Sequence, residues 1–523
     1  MKKLKKLTLV VLSAILLAIS LVGCGYNENK SSEESGKKEE INSITVGVGA
    51  LSSNFVPTKD MGTQTLRVMY NIYDSLFKVD SDGKIIGSLA DTWEFIEPTV
   101  LQIHLKKNVK FHNGDELTAE DVKFSIDQAK EAKLGTAVTN LIDSIESAEV
   151  VDEYTINIKN SYEDAILLTR LSSTRTLYIL PKNYWEQVGG IDGFNAAPIG
   201  SGPYKISEIV SGTSISLERN DDYFGEKPYV KSIKFVKYAE ASTRITALAN
   251  GEVDIINDVS NDLQSSVLAN TNVETHVSAV NNFHIYVFNT ENGATADKKL
   301  RQALAYGIDR KLLVETLWGS GAYVPDGFQT KENGDLYFSD YKGIQYDKNK
   351  AIQLVKESGY DGSVIEIEIQ QGYYMNDAVA AQAVVDMWKE IGVNAKVVYV
   401  DSANWNFKNV RTWSCAVRFE SLLGSLWIQF GPNTPPAKNT WKSNTDFVEA
   451  GYKLQRATTL EEQRKAQKEM LDIIDEEVPV TYLYLPEVIW ASRTDRGIHW
   501  DTDLLVDEII SFRAEDFWGT ESK

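Results

Sequence analysis

A strand–helix–strand pattern between residues 364 and 400 constrains the fold of this chain most. Residues 364–370 (VIEIEIQ) alternate between apolar and polar side chains as a strand does, and residues 376–392 (NDAVAAQAVVDMWKEIG) have a helical pattern that Gly392 ends. A short apolar strand, AKVVYV, follows at 395–400. A helix of this length between two strands is a crossover, so the two strands should be parallel members of one sheet.

The first half of the chain has strand and helix signals of its own. Leu101, Ile103 and Leu105 alternate with polar residues, and Asn113-Gly114 follows as a turn that needs positive φ. Strand and helix signals alternate from residue 45 to residue 485, which predicts an α/β protein with two separate sheets.

The stretch 107–126 (KNVKFHNGDELTAEDVKFSI) contains His112 and four acidic residues within ten positions. Thr118 stands three residues before Asp121, close to a capping box, and the apolar residues that follow lie on one helical face. We therefore interpret these polar residues as turn and helix-capping groups. Similarly, Asp309 can cap the second of two helices in 297–321.

The N-terminus resembles a bacterial lipoprotein signal. A basic start, MKKLKK, precedes 16 mostly apolar residues at 7–22, fewer than the roughly 20 that span a bilayer. The sequence LVGC, ending at Cys24, is similar to a lipobox and implies that residues 1–23 are a signal peptide. It also implies that Cys24 carries a diacylglyceryl group and a palmitate. Residues 24–41 are rich in Ser, Glu, Lys and Asn and should be a disordered tether. An uncleaved anchor is the alternative.

The net charge argues against a nucleic-acid-binding protein, and the cysteine count excludes a protein held together by a disulfide framework. The formal net charge is −20, and removal of the four lysines in residues 1–23 makes it −24. Such a charge argues against nucleic-acid binding, which needs basic groups to displace counterions from phosphates. Only Cys24 and Cys415 are present, so acylation of Cys24 leaves Cys415 without a disulfide partner.

The motifs of common enzyme classes are missing from the sequence. There is no G-x-S-x-G, H-E-x-x-H, C-x-x-C or P-loop sequence. The five histidines include no i, i+4 pair, which argues against a metal cage built from the protein alone. These absences argue against the named enzyme classes, whereas the 74 acidic residues neither exclude nor support a glycosidase pair of carboxylates. We predict a protein that is not an enzyme and has no cofactor and no resident metal.

Five stretches in order carry a family resemblance: NIYDSLFKVDSDGKIIGSLADTWEF (71–95), VKFHNGDELTAEDVKFSI (109–126), IGSGPYKISEIVSGTSISLERNDDYFG (199–225), ALANGEVDI (247–255) and LRQALAYGIDRKLL (300–313). They resemble the extracytoplasmic solute-binding proteins of the peptide/nickel class, family 5, which are the capture subunits of ABC importers. The resemblance covers almost all of the chain after the predicted signal peptide.

This resemblance implies a two-lobed periplasmic-binding-protein-like fold of the large class, with an extra subdomain in lobe I and two hinge strands. The lobes would close around the ligand. The importer's permease subunits, driven by cytoplasmic ATPases, would then accept it. We expect a lipid-anchored monomer on the extracytoplasmic face of the cell membrane. The predicted boundaries are 42–84, 198–290 and 487–523 for lobe I, 85–197 for the subdomain and 291–486 for lobe II, with connections near 287–293 and 482–488.

The ligand should depend on lobe II residues 407–441. In peptide-binding relatives this stretch resembles an apolar strand, a Gly-Trp and an aspartate that pairs with the peptide amine. Here the strand is followed by Arg418-Phe419-Glu420-Ser421, and no aspartate occurs between Asp401 and Asp446. Glu420 could hold a ligand amine and Arg418 a ligand carboxylate. Alternatively, both are surface residues or pair with each other.

Other candidates come from the resemblance and from aromatic residues. The segment 52–57 follows the first strand, where relatives contact ligand, and Arg175 lies where some relatives present an arginine to the cleft. Four tryptophans lie close together in the lobe II sequence and can form either side-chain pockets for a ligand or part of the core: Trp405, Trp413, Trp427 and Trp441. The predicted ligand-binding residues are Asn54, Phe55, Arg175, Trp405, Arg418, Glu420, Ser421 and Trp427.

Capture of short peptides is our leading functional hypothesis. Because the usual aspartate is missing, a nickel chelate or an oligosaccharide stays open as the ligand of the same fold. An exported hydrolase that acts on peptides or wall sugars is the alternative from a different class.

Overall fold

The computed structural model describes residues 38–57, 59, 62–80, 83–131, 142–173, 177–370, 373–401, 404–432, 434–500 and 509–520. The chain divides into two units, residues 1–38 and 39–523, and the description below concerns the second unit. The predicted signal peptide, the lipidation site Cys24 and the candidate Arg175 lie outside the described residues. Within those residues, no helix is both long enough and apolar enough to cross a membrane.

Seven strands form the first sheet. They are β1 Ile41–Val48, β8 Tyr204–Val210, β9 Ser214–Arg219, β10 Val230–Lys237, β11 Ile255–Ile256, β12 Val273–Ala279 and β18 Glu487–Arg493. The order is β12-β18-β11-β1-β10-β9-β8, in which β1 is parallel to both β10 and β11. Three helices belong to this lobe: α1 Thr63–Ile72, α6 Ala241–Ala249 and α7 Asn261–Leu268. Apolar residues of β1, β10 and α1 share one core with Phe512 and Phe517.

A four-stranded antiparallel sheet forms a separate layer, the subdomain. Its strands are β4 Ala90–Glu97, β5 Val100–Leu105, β6 Ile145–Asp152 and β7 Thr155–Asn160, in the order β4-β5-β7-β6. Its helices are α2 Ala119–Glu131 and α3 Leu167–Ser172, and a short hairpin of β2 Phe77–Val79 and β3 Ile85–Gly87 precedes it. Two short helices that follow, α4 Lys182–Gln187 and α5 Ile191–Ala196, bury Trp185 and Phe194 in the lobe I core. One face of α2 buries Val122 and Ile126 against Leu101 and Ile103 of β5.

The second large sheet belongs to lobe II. It contains β13 Asn282–Phe288, β14 Ile365–Gln370, β15 Ala395–Val400, β16 Val410–Ala416 and β17 Val480–Tyr484, in the order β15-β14-β16-β13-β17. The helices are α8 Lys298–Tyr306, α9 Arg310–Leu317, α10 Lys348–Ser358, α11 Asp377–Glu390, α12 Leu426–Phe430, α13 Pro435–Thr440, α14 Thr445–Arg456 and α15 Leu460–Glu477. Helices α8 and α11 pack on one face of the sheet, and α14 and α15 pack on the other.

The crossover predicted from residues 364–400 is confirmed. Strand β14 pairs in parallel with β15, and α11 lies between them in the chain. Asp309 accepts a hydrogen bond from the Leu312 N–H at 3.1 Å, so it caps α9 as predicted. The alternating pattern buries Ile365, Ile367 and Ile369 completely or nearly so.

The polar stretch 107–126 has the structural roles predicted for it. Gly114 has φ of 94°, and the Asp121 carboxylate accepts the Thr118 N–H at 2.9 Å at the start of α2. The His112 ring contacts lobe I: Nδ1 accepts the Gly200 N–H at 3.1 Å, and Nε2 lies 3.0 Å from the Gly202 carbonyl. Burial lowers the pKa of His112 to about 4, so the ring is neutral at pH 7.

The chain passes between the two large sheets at residues 280–281 and 485–486. The second connection lies inside the predicted segment 482–488. The first precedes the predicted 287–293, because β13 already pairs with β16 and β17 of the second sheet. At the start of the sequence, Glu39 pairs with Gly519, so the folded part includes the last residues of the predicted tether. The division of the chain into lobes at the predicted boundaries stays a prediction.

Candidate functional site

The topology places the carboxyl ends of the parallel strands of both sheets beside the two connections. In the first sheet, β11 runs antiparallel to β18, so its carboxyl end lies towards Glu487, where the chain arrives from lobe II. In the second sheet, β16 runs antiparallel to β13, so its end at Ala416 lies opposite Asn282, where the chain enters lobe II. The carboxyl ends of parallel strands are the usual ligand position in open α/β sheets. We call these two regions the lobe I edge and the lobe II edge.

A buried carboxylate ties the two edges together near the connections. Glu487, at the start of β18, accepts the N–H groups of Gly319 and Gly321 at 2.8 and 2.7 Å. Both glycines belong to the lobe II loop after α9. A Cβ atom on either glycine would lie 2.9 Å from Glu487, so the loop needs glycine at both positions.

At the lobe I edge, the predicted residues Asn54 and Phe55 have mainly structural contacts. Asn54 is half-buried, and its Oδ1 accepts the Val56 N–H at 2.9 Å in a local turn. Phe55 is 2% exposed and belongs to the lobe I core, and its carbonyl accepts the Tyr73 hydroxyl at 2.8 Å. Of the pair, only Asn54 retains side-chain surface that a ligand can contact.

Sequence reasoning missed a polar group at the ends of β1 and β11. The buried Arg244 guanidinium donates to the carbonyls of Asn257 at 3.1 Å and Asp258 at 3.2 Å, and it also donates to two carbonyls after β10. Asp258 has φ of 52°, the left-handed region that a non-glycine residue rarely occupies, and its carboxylate accepts the Asn257 amide at 2.6 Å. Burial lowers the pKa of Arg244.

At the lobe II edge, four residues form what we call the aromatic group: Tyr373, Trp405, Arg411 and Trp413. The Arg411 guanidinium lies 4.7 Å from the ring centre of Trp405 and 4.5 Å from that of Trp413. The two indole rings are 5.2 Å apart, and Tyr373 stacks on Trp413 at 6.4 Å. Tyr373 is 56% exposed, so the group presents an aromatic face to solvent.

Behind the aromatic group, the same edge contains buried and half-buried polar groups. The Tyr374 hydroxyl donates to the Ser414 hydroxyl at 3.1 Å, and Thr412 donates to the Asp377 carboxylate at 3.0 Å. Burial raises the pKa of Asp377 to about 6 and lowers the pKa of His284 to about 4. The His284 ring packs 4.8 Å from that of Tyr374, so this layer supports the edge without a permanent cation.

The predicted residues 418–421 do not form one site in this structure. Glu420 is exposed, its carbonyl accepts the Asn333 amide, and its carboxylate lies beside Gly334. Ser421 is 3% exposed and caps a 3-10 turn at 422–424 by accepting the Leu423 N–H at 3.2 Å. Arg418 is half-buried beside the buried Cys415 thiol, and burial raises the pKa of that thiol to about 12.

Two predicted tryptophans have different surroundings. Trp405 belongs to the aromatic group and is half-buried, and its contact with ligand stays a prediction. Trp427 is fully buried in the lobe II core between Phe447 and Tyr452, and a Cβ atom on Gly451 would lie 1.9 Å from its ring. Its position does not support a direct ligand contact. Among the described residues, no group of three or more His, Cys, Asp or Glu side chains could hold a metal ion.

Two lobes with mixed sheets, joined by two connections and with an additional subdomain, define the fold class of periplasmic binding proteins. Sequence comparison then identifies the family. The model of the bacterial extracellular solute-binding proteins, family 5 Middle, matches residues 84–447. The chain belongs to this family.

Individual proteins with similarity to the chain agree with this assignment. The oligopeptide-binding protein AppA of Bacillus subtilis is 28% identical over 92% of this chain and 94% of its own length. The structure of AppA from Bacillus subtilis with a nonapeptide has a TM-score of 0.78 at 22% identity, covering 93% of this chain and all of that one. NikZ from Campylobacter jejuni with Ni(L-His) also has a TM-score of 0.78, at 20% identity over 91% of this chain and 99% of its own.

Proposed function

We propose that the chain captures short peptides between its two lobes and delivers them to the permease of an ABC importer. The observation that carries this proposal is the aromatic group at the lobe II edge, whose Tyr373 side chain is 56% exposed. The similarity to an oligopeptide-binding protein over most of both chains supports peptides as the ligand class. Closure of the lobes would exclude water from the peptide, as in other binding proteins of this fold.

The aromatic group is suited to peptide side chains. Exposed aromatic rings provide apolar contact area, and their polar edges and the nearby hydroxyls of Tyr374 and Ser414 can form hydrogen bonds with a peptide backbone. Since the Arg411 guanidinium is already enclosed by two indoles, it supports the platform rather than offering a free charge.

The charged ends of the peptide need separate partners, for which Arg418 and Glu420 remain our candidates. Glu420 is exposed, so its carboxylate can anchor an amine strongly only if closure removes water around it. If it is the amine anchor, Glu420→Ala should weaken peptide binding more than tenfold, about 1.4 kcal/mol or more. Calorimetry with one defined peptide measures this, and an unchanged affinity would remove Glu420 from the site.

The ligand class is tested on the purified full-length protein. Native mass spectrometry identifies any co-purifying molecule, and calorimetry then compares a defined peptide, a nickel–histidine complex and an oligosaccharide. We expect binding of the peptide alone. Binding of only the nickel complex or the sugar would replace peptides as the ligand. Cleaved peptides at substoichiometric protein would instead support a hydrolase.

We also propose that the lipid on Cys24 anchors the protein to the extracytoplasmic face of the cell membrane. The LVGC sequence after a short apolar run supports this assignment. Cys24→Ala should move the protein from the membrane fraction to the soluble fraction, with Cys415→Ala as the matched control. Retention of the Cys24 variant in the membrane would contradict the lipid anchor.

A further inference from the structure

The subdomain contacts lobe II through helix α14, and no strand of either sheet connects these two parts. The Gln455 side-chain amide, on α14, donates to the Asp143 carboxylate at 2.8 Å across a sequence separation of 312 residues. Asp143 precedes β6 of the subdomain. This hydrogen bond therefore joins the two lobes at a place separate from the connections at 280–281 and 485–486.

The acceptor is held in place by a buried ion pair. Arg170 of α3 is 1% exposed and donates to the other Asp143 carboxylate oxygen at 2.8 Å. Arg170 also lies 3.2 Å from the carboxylate of Asp164, whose side chain is fully buried. Two carboxylates and one guanidinium give these three residues a formal net charge of −1. The Gln455 amide hydrogens thus face a fixed anion, which makes this a charge-assisted hydrogen bond.

Two further contacts flank this hydrogen bond. The Arg456 guanidinium lies 5.4 Å from the ring centre of Tyr162 in the subdomain. Ile166 of the subdomain packs against the lobe II core beside α14. A hydrogen bond, a cation–π contact and an apolar contact therefore all occur in one small area between the lobes.

Two polar atoms at this contact have unmet hydrogen-bonding capacity, as Trp427 Nε1 and Trp441 Nε1 in the lobe II core also do. The Tyr162 hydroxyl and the side-chain Oε1 of Gln455 are buried, and neither has a hydrogen-bond partner among the described residues. Burying an unpaired polar atom costs free energy that is recovered when water reaches the atom. Separation of the lobes at this contact would let water reach both atoms.

We propose that Asp143 and Gln455, with the flanking pair Tyr162 and Arg456, form a latch that holds the closed lobes together and sets how slowly ligand leaves. This inference rests on the proposed capture function. A closed state that is less populated lowers the apparent affinity for the ligand by the same factor, and this requires no contact between the latch and the ligand. Gln455 is therefore a positioning residue.

The test exchanges the donor and the acceptor of the latch. Gln455→Glu places a second carboxylate against Asp143, and Asp143→Asn removes the anion that Gln455 contacts. The double variant restores an amide facing a carboxylate and keeps the net charge of the cluster at −1. Lys453→Ala is the control, since this exposed residue of α14 pairs with Glu469 of the same lobe.

Two measurements are made on the full-length protein. Stopped-flow tryptophan fluorescence gives the rate constants for one defined peptide, and small-angle X-ray scattering gives the radius of gyration without ligand. We expect each single variant to release peptide at least tenfold faster and to have a larger radius of gyration without ligand. The release rate of the double variant should return to within threefold of the wild-type rate. Its radius of gyration should equal that of the wild type within error.

Unchanged release in both single variants, or a double variant as fast as the singles, would overturn the latch. The scattering measurement keeps the test valid if the wild type binds no peptide. Absence of peptide binding would show that the proposed ligand is wrong. Independently of that result, equal radii of gyration for the wild type and the single variants would refute the latch. Melting temperatures distinguish unfolding of a variant from opening of its lobes. A single variant that only opens should melt close to the wild-type temperature, and a double variant that regains the wild-type release rate must be folded.

Discussion

The carboxyl group of Asp377 allows a quantitative test of burial at the lobe II edge. Asp377 begins α11, is 6% exposed and accepts a hydrogen bond from Thr412 at 3.0 Å. Burial raises its pKa from 3.8 to about 6, against the smaller lowering by Thr412. At 1.36 kcal/mol for each pKa unit, the ionised group destabilises the folded state by about 3 kcal/mol well above pH 6.

The sign of the pH dependence follows from the raised pKa. Because the folded state binds the proton more tightly than the unfolded state, this destabilisation is complete above pH 6 and disappears as the pH falls to 3.8. Asp377→Asn keeps the shape and cannot ionise, so its stability relative to wild type should be about 3 kcal/mol higher at pH 8 than at pH 3.8. At pH 5, about half of that difference should remain.

Urea unfolding followed by tryptophan fluorescence, at pH 8 and pH 5, measures the difference. The control is Asp386→Asn, an exposed carboxyl on the same helix, whose effect should stay within about 0.5 kcal/mol. A stability difference between Asp377→Asn and wild type that does not change between the two pH values would refute the argument. It would mean that the carboxyl is solvated in the folded protein.

Two further predictions concern the core and the aromatic group. Gly451→Ala places a methyl group 1.9 Å from the Trp427 ring and should lower the free energy of unfolding by about 1–3 kcal/mol. Glu449→Ala, an exposed position on the same helix, is the control and should leave stability unchanged. Equal melting temperatures for the two variants would show that the Trp427 ring is not tightly packed. Tyr373→Ala should weaken peptide binding about tenfold or more in calorimetry, while Tyr346→Ala, 44% exposed elsewhere in lobe II, should not. Equal affinity of the two tyrosine variants would remove Tyr373 from the ligand surface.

Secondary structure was predictable where local chemistry and burial agree. The β14–α11–β15 crossover follows from period-2 and period-3.6 patterns that each bury one face, and both patterns are visible within a few residues. The polar stretch 107–126 was correctly interpreted as structural because turns and helix caps use side chains close in sequence.

The position of the first connection was not predictable in the same way. Strand β13 is apolar enough for either sheet, and only its pairing with β16 and β17 assigns it to lobe II. Strand partners so far apart in sequence leave no local signal. The predicted position therefore differed by about one strand.

The candidate site separates these two kinds of information most clearly. Sequence alone determined that tryptophans are concentrated in residues 405–441 and that no aspartate lies there to anchor an amine. Tertiary structure decided that Trp405 joins Trp413 and Arg411 at an exposed edge, while Trp427 fills the core. In the sequence, Trp405, Trp413 and Trp427 are equivalent tryptophans of one segment. Only packing against distant helices distinguishes a buried ring from an accessible one.

The contact between Asp143 and Gln455 could come only from the tertiary structure, because each residue is an ordinary polar side chain in its own segment. The sequence determined the family, the alternation of elements and the residue types available. The arrangement of two sheets around two connections decided which of those residues meet, since contacts between lobes depend on how whole layers pack.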